Sequence, residues 1–189
     1  MKKTPIILST VVIVAACAAI VLWKAGFFAP VSVVEQKLGP YAFVYEPFTG
    51  DYKLTGKVFE QVQKALEREG IETRKALGIY YDDPQRVPAA KLRSECGSVL
   101  ENEYLPKAKY LISKQFKIKV IPPRQSVAAD FPIRGPYSYM IGPIKVYPVL
   151  KKYCADRKYA VSLVYEIYDR ERQKISYVIQ VKGENQRDK

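Results

Sequence analysis

Ala76-Leu77-Gly78-Ile79-Tyr80-Tyr81-Asp82-Asp83-Pro84, followed closely by Val87-Pro88 and Lys91-Leu92-Arg93-Ser94, is the stretch on which the reading of this chain turns. Its aliphatic and aromatic half, Ala76 to Tyr81, reads as a buried strand. The strand runs into an Asp-Asp-Pro turn, where aspartate side chains cap nearby amides and proline presets the backbone. Asp82 and Asp83 have too few companions for a metal site and are read as turn structure. A second strand follows from about Lys91 to Leu100.

Outward from this pair of strands, a repeated order emerges. Pro40 to Phe48 reads as a strand with Tyr41, Phe43 and Tyr45 on one face. Leu54, Val58, Val62, Ala65 and Leu66 recur at helical spacing up to Gly70, a good stop. Pro106 to Ser113 reads as a short helix. In Phe116 to Val120, Lys117 and Lys119 alternate with apolar residues, as in a lysine-protected edge strand. Gln125 to Ile133 reads as a strand, and Ile144 to Arg157 as a helix with Pro148 near its first turn. Strands Ser162–Tyr168 and Lys174–Val181 follow. Leu77-Gly78-Ile79-Tyr80-Tyr81-Asp82-Asp83 aligns with Leu163-Val164-Tyr165-Glu166-Ile167-Tyr168-Asp169, and Lys57-Val58-Phe59 answers Lys145-Val146-Tyr147. The expected fold is therefore α+β: duplicated strand–helix–strand–strand units in a mostly antiparallel sheet, with helices on one face.

The inventory excludes most catalytic chemistry. The chain has no histidine, so triads built on an imidazole base are impossible; with Cys17 in the apolar N-terminal run, the two usable cysteines and no histidine make no ordinary zinc site. No phosphate-binding glycine loop occurs. No cofactor and no metal are expected. Glu166 is the anomaly, a carboxylate inside the apolar strand Val164-Tyr165-Glu166-Ile167-Tyr168. Alternation separates Leu163, Tyr165 and Ile167, assigned to the helix-covered face, from Val164, Glu166 and Tyr168 on the opposite face. By the strand alignment Tyr80 is the counterpart of Glu166. With Tyr41, Tyr45, Tyr139, Tyr168 and Tyr177 it offers an aromatic box in a chain of 15 tyrosines. The alternative for Glu166 is an ion pair with Arg93, Lys174 or another basic neighbour.

The Gly78–Ser94 segment and the duplicated units resemble the GyrI-like family, the bacterial transcription-activator effector-binding fold, over about Pro40 to Val181. The resemblance implies a small-molecule cleft between the two halves, lined by Glu166, Tyr80 and Tyr168, for amphipathic, cationic or aromatic ligands. Some members hydrolyse strained cyclopropane-bearing compounds with the cleft glutamate. Tyr80-Tyr81-Asp82-Asp83-Pro84, Val87-Pro88, Gly97-Ser98 and Glu166-Ile167-Tyr168 resemble the branch of the testis-expressed ER-phagy receptor family, which places one membrane helix before such a domain. That family's long C-terminal extension is not in this sequence, so its receptor role is not expected.

The N-terminus fits that arrangement. Ile6 to Trp23 carries no charge, and eighteen helical residues rise roughly 27 Å, near a bilayer's hydrocarbon thickness. The expected organisation is a transmembrane anchor over 1–26, a juxtamembrane linker over 27–39, the GyrI-like domain over 40–182 and a polar tail over 183–189. A cleaved signal or a lipidated Cys17 is the alternative. Lys2 and Lys3 outnumber Lys24, which puts the N-terminus in the cytoplasm and the domain in the periplasm or exterior of a bacterium. The formal charge is +12, with clusters at Lys107, Lys109, Lys114, Lys117 and Lys119 and at Lys145, Lys151, Lys152, Arg157 and Lys158. Beside a membrane these suit anionic headgroups, while no nucleic-acid motif accompanies them. Cys96 and Cys154 read as buried free thiols, with one disulfide as the alternative. The leading expectation is a membrane-tethered module binding small molecules. A hydrolase using Glu166 as general base, and a membrane-anchored adaptor working through its basic face, are the alternatives.

Overall fold

A computed structural model describes residues 4–24 and 26–182, with side chains from Val12 onward apart from residues 18, 24 and 25. The polar tail expected over 183–189 lies outside the described residues. In chain order the elements are α1 (Thr4–Lys24), β1 (Val33–Leu38), β2 (Tyr41–Thr49), α2 (Thr55–Arg68), β3 (Lys75–Tyr80), β4 (Arg93–Val99), α3 (Ala108–Ser113), β5 (Lys117–Ile121), β6 (Arg124–Pro132), α4 (Ser138–Asp156), β7 (Ala160–Asp169) and β8 (Lys174–Lys182). The eight strands form one sheet in the order β1-β6-β8-β7-β3-β4-β2-β5, every neighbouring pair antiparallel. The duplicated strand–helix–strand–strand units, β2-α2-β3-β4 and β6-α4-β7-β8, meet at the central β3–β7 seam.

Both helices sit on one face. Val58, Val62 and Leu66 of α2 are buried at a spacing of four, and α2 packs on β2 and β4. Gly142, Val146, Leu150 and Cys154 form the same stripe on α4, which packs on β6 and β8. Pro143 and Pro148 lie off that stripe, so the apolar face survives two prolines that remove intrahelical hydrogen bonds. Helix α4 thus begins at Ser138, well before the expected Ile144.

The opposite face buries itself. Phe43, Leu77, Ile79, Ile121, Ala128, Tyr165, Ile167 and Val178 form an all-strand cluster. The Tyr41 and Tyr165 rings lie 6.2 Å apart although β3 and β4 separate their strands in the sheet. Strands spaced about 4.8 Å apart allow that only if the sheet curls, which makes a half-barrel with helices on its outer side. This corrects the face assignment: Tyr165 and Ile167 point into the curl, and Glu166 points toward the helices. β1 falls within the expected linker. Its side chains are mostly exposed at a sheet edge, so no apolar alternation marked it.

The membrane span expected from Ile6 to Trp23 is also corrected. Among the described residues no helix is long and apolar enough to cross a membrane. The described side chains of α1 run from Val12 to Trp23, a rise of about 18 Å against a hydrocarbon core of about 30 Å. The first part of the expected span lies outside the described side chains. The readings built on that span fall with it: the tether, the single-pass topology, the lipid partner, the cytoplasmic N-terminus and the periplasmic domain. Half of the residues in the basic clusters are paired with acids. Lys117 pairs with Glu46, Lys119 with Glu95, Lys151 with Asp83, Lys152 with Asp156 and Arg157 with Glu35.

Candidate functional site

Glu166 stands on the β3–β7 seam, directly opposite Gly78 in the strand register. With no side chain on Gly78, the Phe59 ring and the Tyr80 hydroxyl close over the seam on the helix side. A Cβ there would lie 2.9 Å from the tip of Phe59 and 3.0 Å from the Tyr80 hydroxyl. Phe59 comes from α2 and Tyr147 from α4, so side chains rather than helix backbones cover the seam.

The carboxylate is only 5% exposed. Its Oε1 accepts a hydrogen bond from the Tyr147 hydroxyl at 2.7 Å, and its Oε2 accepts one from Tyr168 at 2.5 Å. The Tyr168 and Tyr80 hydroxyls are 2.9 Å apart. Phe59 meets the Tyr168 ring edge-on at 5.3 Å, Tyr52 meets Tyr80 at 4.8 Å, and Tyr139, half exposed, lies 6.0 Å from Tyr168. The result is a buried acid at the floor of an aromatic cup whose rim reaches solvent.

Among the described residues Glu166 forms no ion pair. Arg93 forks onto Asp82 through Nε and Nη2, and Lys174 pairs with Asp130, so the two cations weighed as its partners are engaged elsewhere. Burial without a compensating charge raises the Glu166 pKa above the ordinary carboxylate value, and the two phenol hydrogen bonds pull it partly back. Burial, and then the nearby carboxylate, holds the phenols of Tyr80, Tyr147 and Tyr168 protonated far into the basic range. They are donors at any working pH.

Glu166, Tyr80 and Tyr168, the residues singled out from sequence, come together here. The wider aromatic box comes together in part. Tyr139 lies at the rim, and Tyr177, fully buried, stands opposite Glu166 in the β7–β8 register and packs edge-on against Tyr147 at 5.3 Å, whereas Tyr41 and Tyr45 pack with the all-strand cluster inside the curl. Tyr147 and Phe59 were missed as site residues, although Lys57-Val58-Phe59 and Lys145-Val146-Tyr147 had already been matched. That helix match carries the true repeat, a shift of 88 positions, the same separation as the bonded Tyr80–Tyr168 pair. The strand alignment slips by two. Tyr80 therefore corresponds to Tyr168, and Gly78 to Glu166.

Asp82 and Asp83 act as turn residues. Asp82 is clamped by Arg93, and Asp83 Oδ1 accepts from the Gln85 amide. Among the described residues no group of acids or cysteines is placed to hold a metal ion. Cys96 and Cys154 are free and buried. Burial pushes the Cys96 thiol up to about 12, which leaves it inert as a nucleophile.

No family model matches the chain. It is 32% identical over 134 residues to the testis-expressed protein 264 homolog of Mus musculus, an alignment covering 68% of this chain and 41% of that protein. The chain spans less than half the length of the curated relatives it matches. Its fold is similar to that of the EcmrR C-terminal domain, with a TM-score of 0.56, 14% identity and coverage of 80% of this chain and 98% of that one. A hydrolase from Listeria innocua superposes with a TM-score of 0.50 at 16% identity, covering 82% and 95% of the two chains.

Proposed function

We propose, for a chain that has the GyrI-like effector-binding fold, that the aromatic cup over the β3–β7 seam binds a small molecule and that Glu166 hydrolyses it. The substrate class that suits the site is a strained compound of the cyclopropane type, activated by an electron-withdrawing group. The observation carrying this reading is the state of Glu166: buried, bonded to two phenols, and in no ion pair among the described residues. A carboxylate kept in water is a weak base, whereas burial that raises its pKa makes it a stronger one. The likeness to a hydrolase of the same fold supports hydrolysis over mere reception.

The step balances without a cofactor. Water enters the cup and gives one proton to Glu166 as its oxygen bonds to a ring carbon. The strained C–C bond breaks, and its electron pair passes to the activating group. That group then takes the proton back from Glu166, so one water is added in all. The phenols of Tyr147 and Tyr168 hold the carboxylate in place, and Phe59, Tyr80 and Tyr139 present flat faces to the substrate. Within the fold, the sequence likeness supports assignment to the testis-expressed protein 264 branch.

The test is incubation of the full chain with a carbonyl-activated cyclopropane, followed by mass spectrometry for the product of water addition. Wild type is expected to turn it over. Glu166→Gln is expected to lose turnover while still showing a ligand-dependent thermal shift. Equal turnover by both proteins overturns the assignment. Binding by both with turnover by neither reduces the site to a receptor.

A further inference from the structure

The cup lies between two helices that belong to different units, so its ends are defined by whatever joins each helix to the opposite unit. On the α4 side the joint is Lys151, whose Nζ is 2.9 Å from Asp83 Oδ2. Lys151 is one helical turn beyond Tyr147, the residue that holds Glu166, and positions four apart share a helix face. Asp83 lies three residues beyond Tyr80, the last residue of β3. Its neighbour Asp82 is fixed to unit one by three hydrogen bonds from Arg93, and the Tyr52 hydroxyl bonds the Asp82 backbone. The root of the turn is therefore rigid, and its tip reaches across to α4. At the other end of the seam, Arg170 donates to Gln63 of α2. A shift of 88 positions, that of the Tyr80–Tyr168 pair, carries Gln63 onto Lys151 and Asp82 onto Arg170. The two straps thus correspond to within one residue, since Asp83 itself falls on Glu171; they stand at opposite ends of the seam, and of the two the Asp83–Lys151 strap is an ion pair.

We propose that the Asp83–Lys151 ion pair is a salt-sensitive latch that holds α4 over the Glu166 cup and limits access to it. Glu166 is too buried for a substrate to reach without some parting of the cover. The Lys151 side chain is 56% exposed and that of Asp83 29%, so the pair is of the weak surface kind. Such pairs shift an equilibrium by roughly two- to fivefold, enough to tune opening without locking it. The inference rests on the cup being the site, but its test reads access and needs no turnover, so failure of either is seen separately.

The experiment is nitration of the full chain by tetranitromethane, with the rate at each tyrosine read by peptide mass mapping. Lys151→Ala and Asp83→Asn are each expected to nitrate Tyr147 and Tyr168 roughly two to five times faster than wild type. The already exposed Tyr139 should keep its rate. The reversed pair, Asp83→Lys with Lys151→Asp, is expected to restore the slow rates. About 1 M salt, which shrinks the screening length to about 3 Å, should speed the wild type and leave the single variants unmoved. Unchanged rates in the single variants overturn the latch, as does acceleration of every tyrosine together or a reversed pair that stays fast. If the single variants do not fold, the salt response of the wild type at Tyr147 and Tyr168 against Tyr139 decides.

Discussion

Tyr147→Phe removes one hydroxyl and little else, which makes it the cleanest probe of how Glu166 is held. The lost bond is 2.7 Å long, buried, and ends on Oε1, while Tyr168 keeps Oε2. A hydrogen bond to an ionised group contributes about 1.5–3 kcal/mol and one between neutral groups about 0.5–1.5. The same substitution should therefore cost about 2 kcal/mol where Glu166 is ionised and about 1 kcal/mol where it is protonated. For a chain of this size that is a fall in Tm of about 4–8 °C at alkaline pH and about 2–4 °C at acid pH. Thermal or urea melts of both proteins at about pH 9 and about pH 4 measure it directly. A cost that is equal at the two pH values would refute the reasoning, because the hydroxyl would then not be serving a charge.

Other consequences follow from the same geometry. Because its raised pKa makes folded Glu166 bind a proton that the unfolded chain has released, its contribution to stability falls as pH rises from the unfolded value through the folded one. Glu166→Gln should thus melt higher than wild type at neutral to alkaline pH, with the gap closing below the unfolded pKa; a gap independent of pH would contradict this. Gly97→Ala should cost about 3 kcal/mol or more, because its Cβ would lie 2.0 Å from the Val44 carbonyl oxygen and 2.9 Å from Tyr45 Cα. A Tm within a few degrees of wild type would show that β2 and β4 separate easily. Cys96, buried with its thiol pKa raised to about 12, should resist a thiol reagent in the native chain and react once urea unfolds it; fast native labelling would contradict its placement.

The duplicated α+β plan was legible because each apolar stripe is local. Val58, Val62 and Leu66 announce α2 without reference to anything else, and the nearly continuous apolar runs do the same for β3 and β7. What local pattern does not contain is which side of a strand the helices cover. Tyr165 and Glu166 alternate whatever the answer. The curled sheet buries both faces, so the apolar residue was no guide to the helix side. The two-residue slip in the strand alignment did no harm to the choice of Tyr80, since a shift of two preserves the face. It did hide Tyr147, which only the helix match at Val58 and Val146 could have placed. The start of α4 was obscured by Pro143 and Pro148, whose outward positions depend on the tertiary arrangement.

The measurement closest to the heart of the account is an infrared difference titration of wild type against Glu166→Gln, which isolates the carboxyl band of this one residue, run beside the pH dependence of cyclopropane hydrolysis. Glu166 is expected to titrate above the ordinary carboxylate range, and hydrolysis to rise with pH over that same interval. A band showing Glu166 ionised down to the ordinary carboxylate range, or hydrolysis that ignores its titration, would contradict the account.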